Sequence, residues 1–499
     1  STQIMNTFLS LPRLALLLVL GSSFGAMAQS EEDALRYSNI LPGGTARSWA
    51  MGSAFGAVGA DAASASLNPA GFGLYNSSEF TLTPSFEVND ATSTHYGNTA
   101  SASQNRFSLN NIALVLNYPN DAGKDWRGGS FGISFDRQAS FNWKENAIGN
   151  SVNSSMTERF VNEANGISYL DLESDQTPLP FTGTLAWFAY AMDTVPGTID
   201  QYASAIPFGS AVKQQHTIDA SGRLNTTSFF YANNYKDKLY FGVTLGLVGV
   251  NYERHTIHKE TTLDETNDLK TFQYKEDLLT TGNGIDLKFG VIGRVTEKLR
   301  LGASFHSPKW LLLSDAYSYS ISTNFRAGDS YTEISPEGSF SYRVNTPWSV
   351  LASAVYQVQK SGIISVDYGY TDFRKARLRA SDEFSDVYDF AQENDVIRGN
   401  FQGTHSLRVG TEWRSGNWYF RGGGGYFPNA YADRDPRQGT AYKMYTGGIG
   451  FRKKHFSIDL AITYGQRDTK WYQYSPALVQ ATSGQLTDVR SLVTVSLRP

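Results

Sequence analysis

Between Leu239 and Leu247 every second residue is large and apolar. Leu239, Phe241, Val243, Leu245 and Leu247 are separated by Tyr240, Gly242, Thr244 and Gly246. A period of two is the repeat of a β-strand whose faces meet different environments. The pattern recurs at Ile112, Leu114, Leu116 and Tyr118, at Ile364, Val366, Tyr368 and Tyr370, and from Phe456 through Ile458, Leu460 and Ile462 to Tyr464. A soluble sandwich shares this period, so one strand decides nothing. The connections decide more. Strands are expected at 79–88, 105–118, 127–145, 221–235, 238–258, 282–296, 298–324, 334–358, 362–380, 402–414, 417–430, 439–453, 455–475 and 487–498. Long connections near 89–104, 146–220, 259–281, 325–333, 381–401, 431–438 and 476–486 alternate with short ones. Outer-membrane barrels sort their loops this way, with short periplasmic turns and long external loops. The expected fold is therefore all-β, a 14-stranded antiparallel transmembrane β-barrel. The even count puts both termini in the periplasm. Pro347 would ordinarily split a strand. Splitting 334–358 breaks the loop parity, so it is kept whole, with Pro347 where the strand leaves the lipid band.

The ends and the composition agree. Arg13, the apolar run Leu14–Leu20 and Ala26-Met27-Ala28 have the pattern of a cleaved signal peptide, here residues 1–28. The run is shorter than the ~20 residues a spanning helix needs. A mean hydropathy of -0.34 excludes a helical bundle in lipid. With no cysteine, disulfides, cysteine zinc sites and thiol nucleophiles are all excluded. A net charge of -4 gives no reason to expect a nucleic-acid partner.

Between the signal and the first strand lies GTARSWAMGSAFGAVGADAASASLNPAG, Gly44 to Gly71, made almost wholly of small residues. Such a segment can fold inside a lumen. It carries Gly44-x-Ala46-Arg47, Met51-Gly52-x-Ala54-Phe55-x-Ala57-Val58, Asp61-Ala62-x-Ser64-Ala65 and Asn68-Pro69-Ala70-Gly71. Later come Val344-x-x-Pro347-x-Ser349-Val350, Val366-Asp367-Tyr368-x-Tyr370-Thr371-Asp372, Leu407-Arg408-Val409-Gly410-x-Glu412 and Arg421-x-Gly423-x-Gly425-Tyr426. In this order the set resembles the FadL/TodX family of outer-membrane channels for long-chain fatty acids and hydrocarbons. The closing Leu497-Arg498-Pro499 departs from the aromatic end usual in such proteins. The resemblance implies an N-terminal hatch at 29–77, with Arg47, Phe55, Asn68, Pro69 and Ala70 as its marks, inside a barrel at 78–499. It also implies a lateral opening where the third strand kinks, for which Gly128 and Gly129 are the candidates.

Alternation turns Asp286, Lys288, Arg294, Arg300, Arg408, Glu412, Arg421 and Asp459 inward. Lys288, Arg408 and Arg421 then lie near mid-wall. Either these charges pair with one another and with the hatch, or one of the three cations binds a carboxylate ligand. A second candidate is the apolar cluster Leu185, Trp187, Phe188, Tyr190 and Met192 on an external connection. It packs within its loop, or it captures ligand, as the resemblance implies. His255-x-x-His258 is a weak metal signal, because residues three apart on a strand face opposite sides. The four glycines 422–425 lack the Lys-Ser/Thr of a phosphate loop. No enzyme activity, metal or cofactor is expected.

The expected function is uptake of hydrophobic ligands, fatty acids first, by lateral diffusion into outer-membrane lipid, by a monomer. The alternative is an outer-membrane protein-binding scaffold or shuttle of the PorV type in secretion. A porin for hydrophilic solutes comes third, since a hatch would obstruct it.

Overall fold

The computed structural model describes residues 31–41, 43–120, 124–172, 181–381 and 388–499. The expected signal segment lies outside them. Fourteen successive antiparallel strands form a closed barrel. The first, Glu79–His95, pairs with both the second, Asn98–Pro119, and the last, Thr482–Leu497. The third runs as Trp126–Ser140 and Trp143–Val152. Val212–Tyr235, Leu239–Thr262 and Leu269–Arg294 are the fourth to sixth. The seventh (Leu299–His306, Trp310–Phe325), eighth (Ser330–Ile334, Gly338–Asn345, Ser349–Val358) and ninth (Gly362–Asp372, Arg377–Ala380) are interrupted. Gly403–Ser415, Trp418–Phe427, Tyr442–Arg452 and Phe456–Trp471 complete the wall.

Every segment expected from alternation is a strand. Pro347 does interrupt the eighth, having no N–H for the ladder, but its neighbours break at the same level. His306 pairs with Ser349 below the break, and Trp310 with Asn345 above it. The strand count is therefore unchanged. The expectation of a long connection at 89–104 is corrected. Strands continue to His95 and from Asn98, joined by Tyr96-Gly97 at φ +44° and +77°, the left-handed pair of a two-residue hairpin turn. The connection expected at 259–281 shrinks likewise to 263–268. The outward face of these stretches is mostly polar, so they lack the lipid-facing apolar alternation, although Leu269, Phe272, Tyr274 and Leu278 are buried inside.

The outward face supplies the reason for the apolar alternation. Phe80, Leu114, Phe131, Phe229, Leu245, Val366, Val409 and Leu460 are all exposed and form an apolar band. Trp126, Tyr356, Trp413 and Trp418 flank it at the short-turn end, and Tyr368, Tyr426, Tyr445 and Tyr464 at the other. Apolar band, aromatic margins and closed hydrogen bonding are the requirements for crossing lipid with strands. Beyond the band the outward face of the fifth strand turns mostly polar through Asn251, Glu253, His255, Lys259 and Thr261. No described helix is long and apolar enough to cross a membrane.

Residues 43–75 lie against the inner face of the wall and are almost all buried. Short side chains let this segment fold into brief turns, each started by a side-chain cap. Thr45 accepts from the Ser48 N–H, Asp61 from Ala63 and Asn68 from Ala70. Pro69 opens the 3-10 turn Pro69–Leu74, where its missing N–H costs nothing. Two wall glycines allow the close approach. A Cβ at Gly290 would stand 1.9 Å from Asn68 Oδ1, and one at Gly423 2.4 Å from the Met51 carbonyl carbon.

Candidate functional site

The lumen divides into a packed level and an open level. At the packed level the N-terminal segment is tied to several strands. Arg47 donates from Nε and Nη2 to the two Glu412 oxygens, both at 2.9 Å. The N–H groups of Phe55 and Gly56 donate to Asp367 at 3.0 Å each. Asn68 Nδ2 donates to the carbonyls of Gly56 at 2.8 Å, Val291 at 3.3 Å and Ala303 at 3.4 Å. Arg300 reaches the Val58 carbonyl, and Ser304 the Leu67 carbonyl. Phe55 packs with Met51, Leu67 and wall residues Leu351 and Val355, and Ala70 with Tyr240 and Ile292. Burial opposes the Arg47 charge, but Glu412 and Asp61 outweigh it and hold the guanidinium above its ordinary pKa. For Asp61 burial wins, and its carboxyl is raised despite Arg47.

Lys288, Arg408 and Arg421 belong to this level. Lys288 Nζ lies 3.0 Å from Asp286, which Lys309 also approaches at 3.4 Å. Arg408 pairs with Asp367 at 3.3 Å. Arg421 pairs with Glu412 at 2.6 Å and Asp459 at 2.7 Å. All three are buried, each has a carboxylate already, and none lines the main cavity. Of the two readings of these charges, the geometry favours mutual pairing. A buried pair without one partner leaves an uncompensated charge, so fixing the N-terminal segment is work enough for them.

The open level holds a cavity of about 2180 Å³. Helix Glu31–Ser38 lies along it, with the Arg36 guanidinium 4.2 Å from the Tyr252 ring centroid. Arg437 pairs with Glu31, Glu32 and Asp435 at 2.8, 3.1 and 2.9 Å. Tyr252, Tyr274, Tyr319, Tyr442, Trp471 and Tyr474 supply much of the lining. These side chains offer an apolar ring with a polar tip.

The apolar cluster divides between two roles. Helix Phe181–Phe188 brings Leu185 and Phe188 to the cavity. Trp187 is held between Tyr169 at 5.9 Å and Tyr202 at 5.7 Å. Tyr190 packs on Tyr331 at 4.5 Å, and Met192 is buried among Met156, Phe160 and Leu269. Phe188 is the member of the set that both lines the cavity and is exposed, at 42%; Tyr190 is exposed but does not line it.

The wall is open beside this cavity. The second and third strands pair from Pro119↔Gly128 to Asn111↔Asp136 and no further. Above that point the second strand pairs only with the first, and the third, bulged between Arg137 and Ala139 and broken at Phe141-Asn142, pairs only with the fourth. The resulting window is bridged higher up by Gln104 and Asp219, Nε2 to Oδ1 at 3.4 Å. Ser108, Asn110, Arg137, Gln138 and Ser140 border both window and cavity. Asn110 donates to the Gly44 carbonyl at 2.5 Å, so the N-terminal segment touches the sill. Gly128 and Gly129 do not lie at the kink: both are paired to the second and fourth strands. Gly128 has φ +111° beside a bulge, so it marks an irregularity at the strand's other end.

Two further sequence features are not sites. His255 faces out beside Glu253 and Asp277, whereas His258 is buried, 3.2 Å from His216 and 2.8 Å from Glu260. Among the described residues no group of three or more His, Asp or Glu could hold a metal ion. Gly128-Gly129-Ser130-Phe131-Gly132 has the spacing of a nucleophile elbow. Ser130 sits mid-strand and accepts from Asn117 at 3.1 Å, whereas an elbow needs a strand-to-helix turn.

These features define an outer-membrane type of β-barrel with an occupied lumen and a side window. No family model and no curated relative matches the sequence. Solved structures do. The toluene transporter TodX of Pseudomonas putida aligns over 92% of this chain and 98% of its own, at 13% identity and a TM-score of 0.52. A Pseudomonas aeruginosa FadL homologue gives the same coverage, identity and score. The fold is thus that of the FadL/TodX channels, as the sequence motifs suggested.

Proposed function

We propose that this protein is an outer-membrane channel for hydrophobic and amphipathic small molecules, which leave sideways through the window into the bilayer. The observation that carries this reading is the continuity of cavity and window above a packed N-terminal segment. That segment acts as the hatch. The loop end faces outward, Phe188 and its neighbours receive ligand, and the hatch bars the straight path to the short-turn end. Lateral exit is favoured because each CH₂ kept out of water is worth ~0.8 kcal/mol. TodX is described as a toluene transporter; long-chain fatty acids are the first ligands to test here. A protein-shuttling scaffold needs neither the cavity nor its opening. A hydrophilic porin is disfavoured by the hatch.

The lack of native cysteines gives a clean test. Ser140→Cys places one thiol on the window. Modification with a bulky thiol reagent should stop uptake of a fatty acid and of its neutral alcohol, while a methyl-sized reagent should not. Unchanged uptake behind the bulky adduct would remove the lateral route. Native mass spectrometry of the cell-extracted protein then identifies the resident ligand.

A further inference from the structure

We propose that the mouth of the window is a binding site for the anionic head, carboxylate or phosphate, of an acyl-chain amphiphile. It rests on the channel reading for its orientation and names the class of ligand the window accepts.

The site is a cluster of arginines with too few carboxylates. Arg490, Glu87 and Arg106 stand side by side on the last, first and second strands, in the registers Glu87↔Arg490 and Glu87↔Arg106. Glu87 is taken by Arg490 at 3.0 Å. Across the window stand Arg137, paired to Asn225, and Arg223, paired to Ser140. Arg137 interacts electrostatically with Arg106, Arg223, Arg490 and Glu87. Asp488 accepts from Tyr442 at 2.9 Å, and Asp219, at the top of the gap, pairs with Lys144 at 3.0 Å. The carboxylates around the four guanidiniums are therefore all engaged. Among the described residues Arg106, Arg137 and Arg223 make no ion pair, and Arg137 Nε has no hydrogen-bond partner although it is buried. Like charges held this close repel. This contrasts with Lys288, Arg408 and Arg421, all of which are paired.

Position supplies the second half of the argument. On the outward face of the third strand Phe131, Ile133 and Phe135 lead to Arg137. On the fourth, Tyr231 and Phe229 lead through Thr227 and Asn225 to Arg223. Phe107, 71% exposed, stands on the opposite lip next to Arg106. The cluster thus begins where the apolar band ends. An amphiphile lying in the leaflet beside the window, chain along Phe131 and Ile133, would place its head among these arginines. Guanidinium forks suit carboxylate and phosphate oxygens.

The test uses the full-length protein in nanodiscs, with oleate, oleyl alcohol, dioleoyl phosphatidic acid and inorganic phosphate as probes. Replacing Arg106, Arg137 and Arg223 together by Gln should weaken oleate or phosphatidic acid about tenfold and leave oleyl alcohol unchanged. The acid that responds identifies the head as carboxylate or phosphate. Inorganic phosphate competing with phosphatidic acid at millimolar concentration would support recognition of the head itself. The matching triple Lys variant should recover most of the binding, which guards against a folding defect. Equal affinities in the Gln variant and the unaltered protein, or parallel loss of acid and alcohol in both variants, would overturn the proposal. Alcohol uptake by the unaltered protein reports on the channel reading alone, whereas the acid-to-alcohol ratio reports on the cluster alone.

Discussion

The packed level and the open level of the lumen handle charge in opposite ways. Around the hatch Arg47 and Arg421 share Glu412, Arg408 has Asp367, Lys288 has Asp286, and Arg300 donates to the Val58 carbonyl. At the window Arg106, Arg137 and Arg223 are left over. Both sets are arginine-rich, although they lie on different strands, so residue type does not separate them. What separates them is whether a partner was built in. A paired, buried charge holds structure, while an unpaired one beside an opening is what the proposed head-group site requires.

The largest expected effect breaks the packed level. Arg47→Ala strips Glu412 of its two-pronged partner, leaving it only Arg421, and should cost about 1.5–3 kcal/mol of hatch docking for each charged hydrogen bond lost. Liposomes carrying the variant should swell faster with small sugars, and the hatch should become sensitive to protease. Deleting residues 44–71 should leak at least as much. If conductance stays at the level of the unaltered protein in both, the hatch is not the barrier.

Gly290→Val tests packing rather than charge. Its Cβ would collide with Asn68 Oδ1, and overpacking of this kind costs about 1–3 kcal/mol. Gly249 is the matched control on the outward face of the wall, since a Cβ there would meet nothing within 4 Å. Gly249→Val should leave the thermal shift of the barrel, read by heat-modifiable electrophoresis, close to zero while Gly290→Val lowers it. Equal behaviour would mean that the hatch moves aside easily.

Phe188→Ser should weaken ligand capture by about 1 kcal/mol, since a half-exposed ring can bury only part of the ~1.5–3 kcal/mol of a full side chain. Trp187→Ser should instead loosen the loop held between Tyr169 and Tyr202, and show first as protease sensitivity. An equal loss of uptake in both would merge what the structure separates.

The same division explains what the sequence disclosed. All fourteen strands were legible because lipid on one side imposes period two on residues such as Leu239 to Leu247. The outer strand ends were not, because above the lipid both faces of Gln104 or Lys259 meet water or a polar lumen. The buried N-terminal segment, which we propose as the hatch, was legible as a run of small residues capped by Thr45, Asp61 and Asn68. Gly128-Gly129 was the sequence candidate for a lateral opening, but glycine signals local irregularity rather than lost pairing, and both residues are paired. The break at Phe141-Asn142 carries no glycine or proline. The arginine cluster was missed because the bulge after Arg137 breaks the alternation that would place it, and pairing across strands cannot be read from one strand at a time.

The smallest expected effect concerns the lintel of the window. Lys144 and Asp219 meet at 3.0 Å, but their side chains are 38% and 39% exposed. An exposed pair of this kind contributes only about 0–1 kcal/mol, less in salt. Lys144→Ala should therefore leave barrel stability nearly unchanged. Asp219 also accepts the hydrogen bond from Gln104 that closes the top of the gap. Freed of Lys144, Asp219 can turn further toward Gln104, or swing into the opening and offset the arginines below it. In the second case fatty-acid uptake should fall slightly while alcohol uptake holds, and Asp219→Asn should reverse the change. If neither substitution moves the acid-to-alcohol ratio at low salt, the field at the window is set by Arg106, Arg137 and Arg223 alone, and the lintel is only a strap between two strand ends.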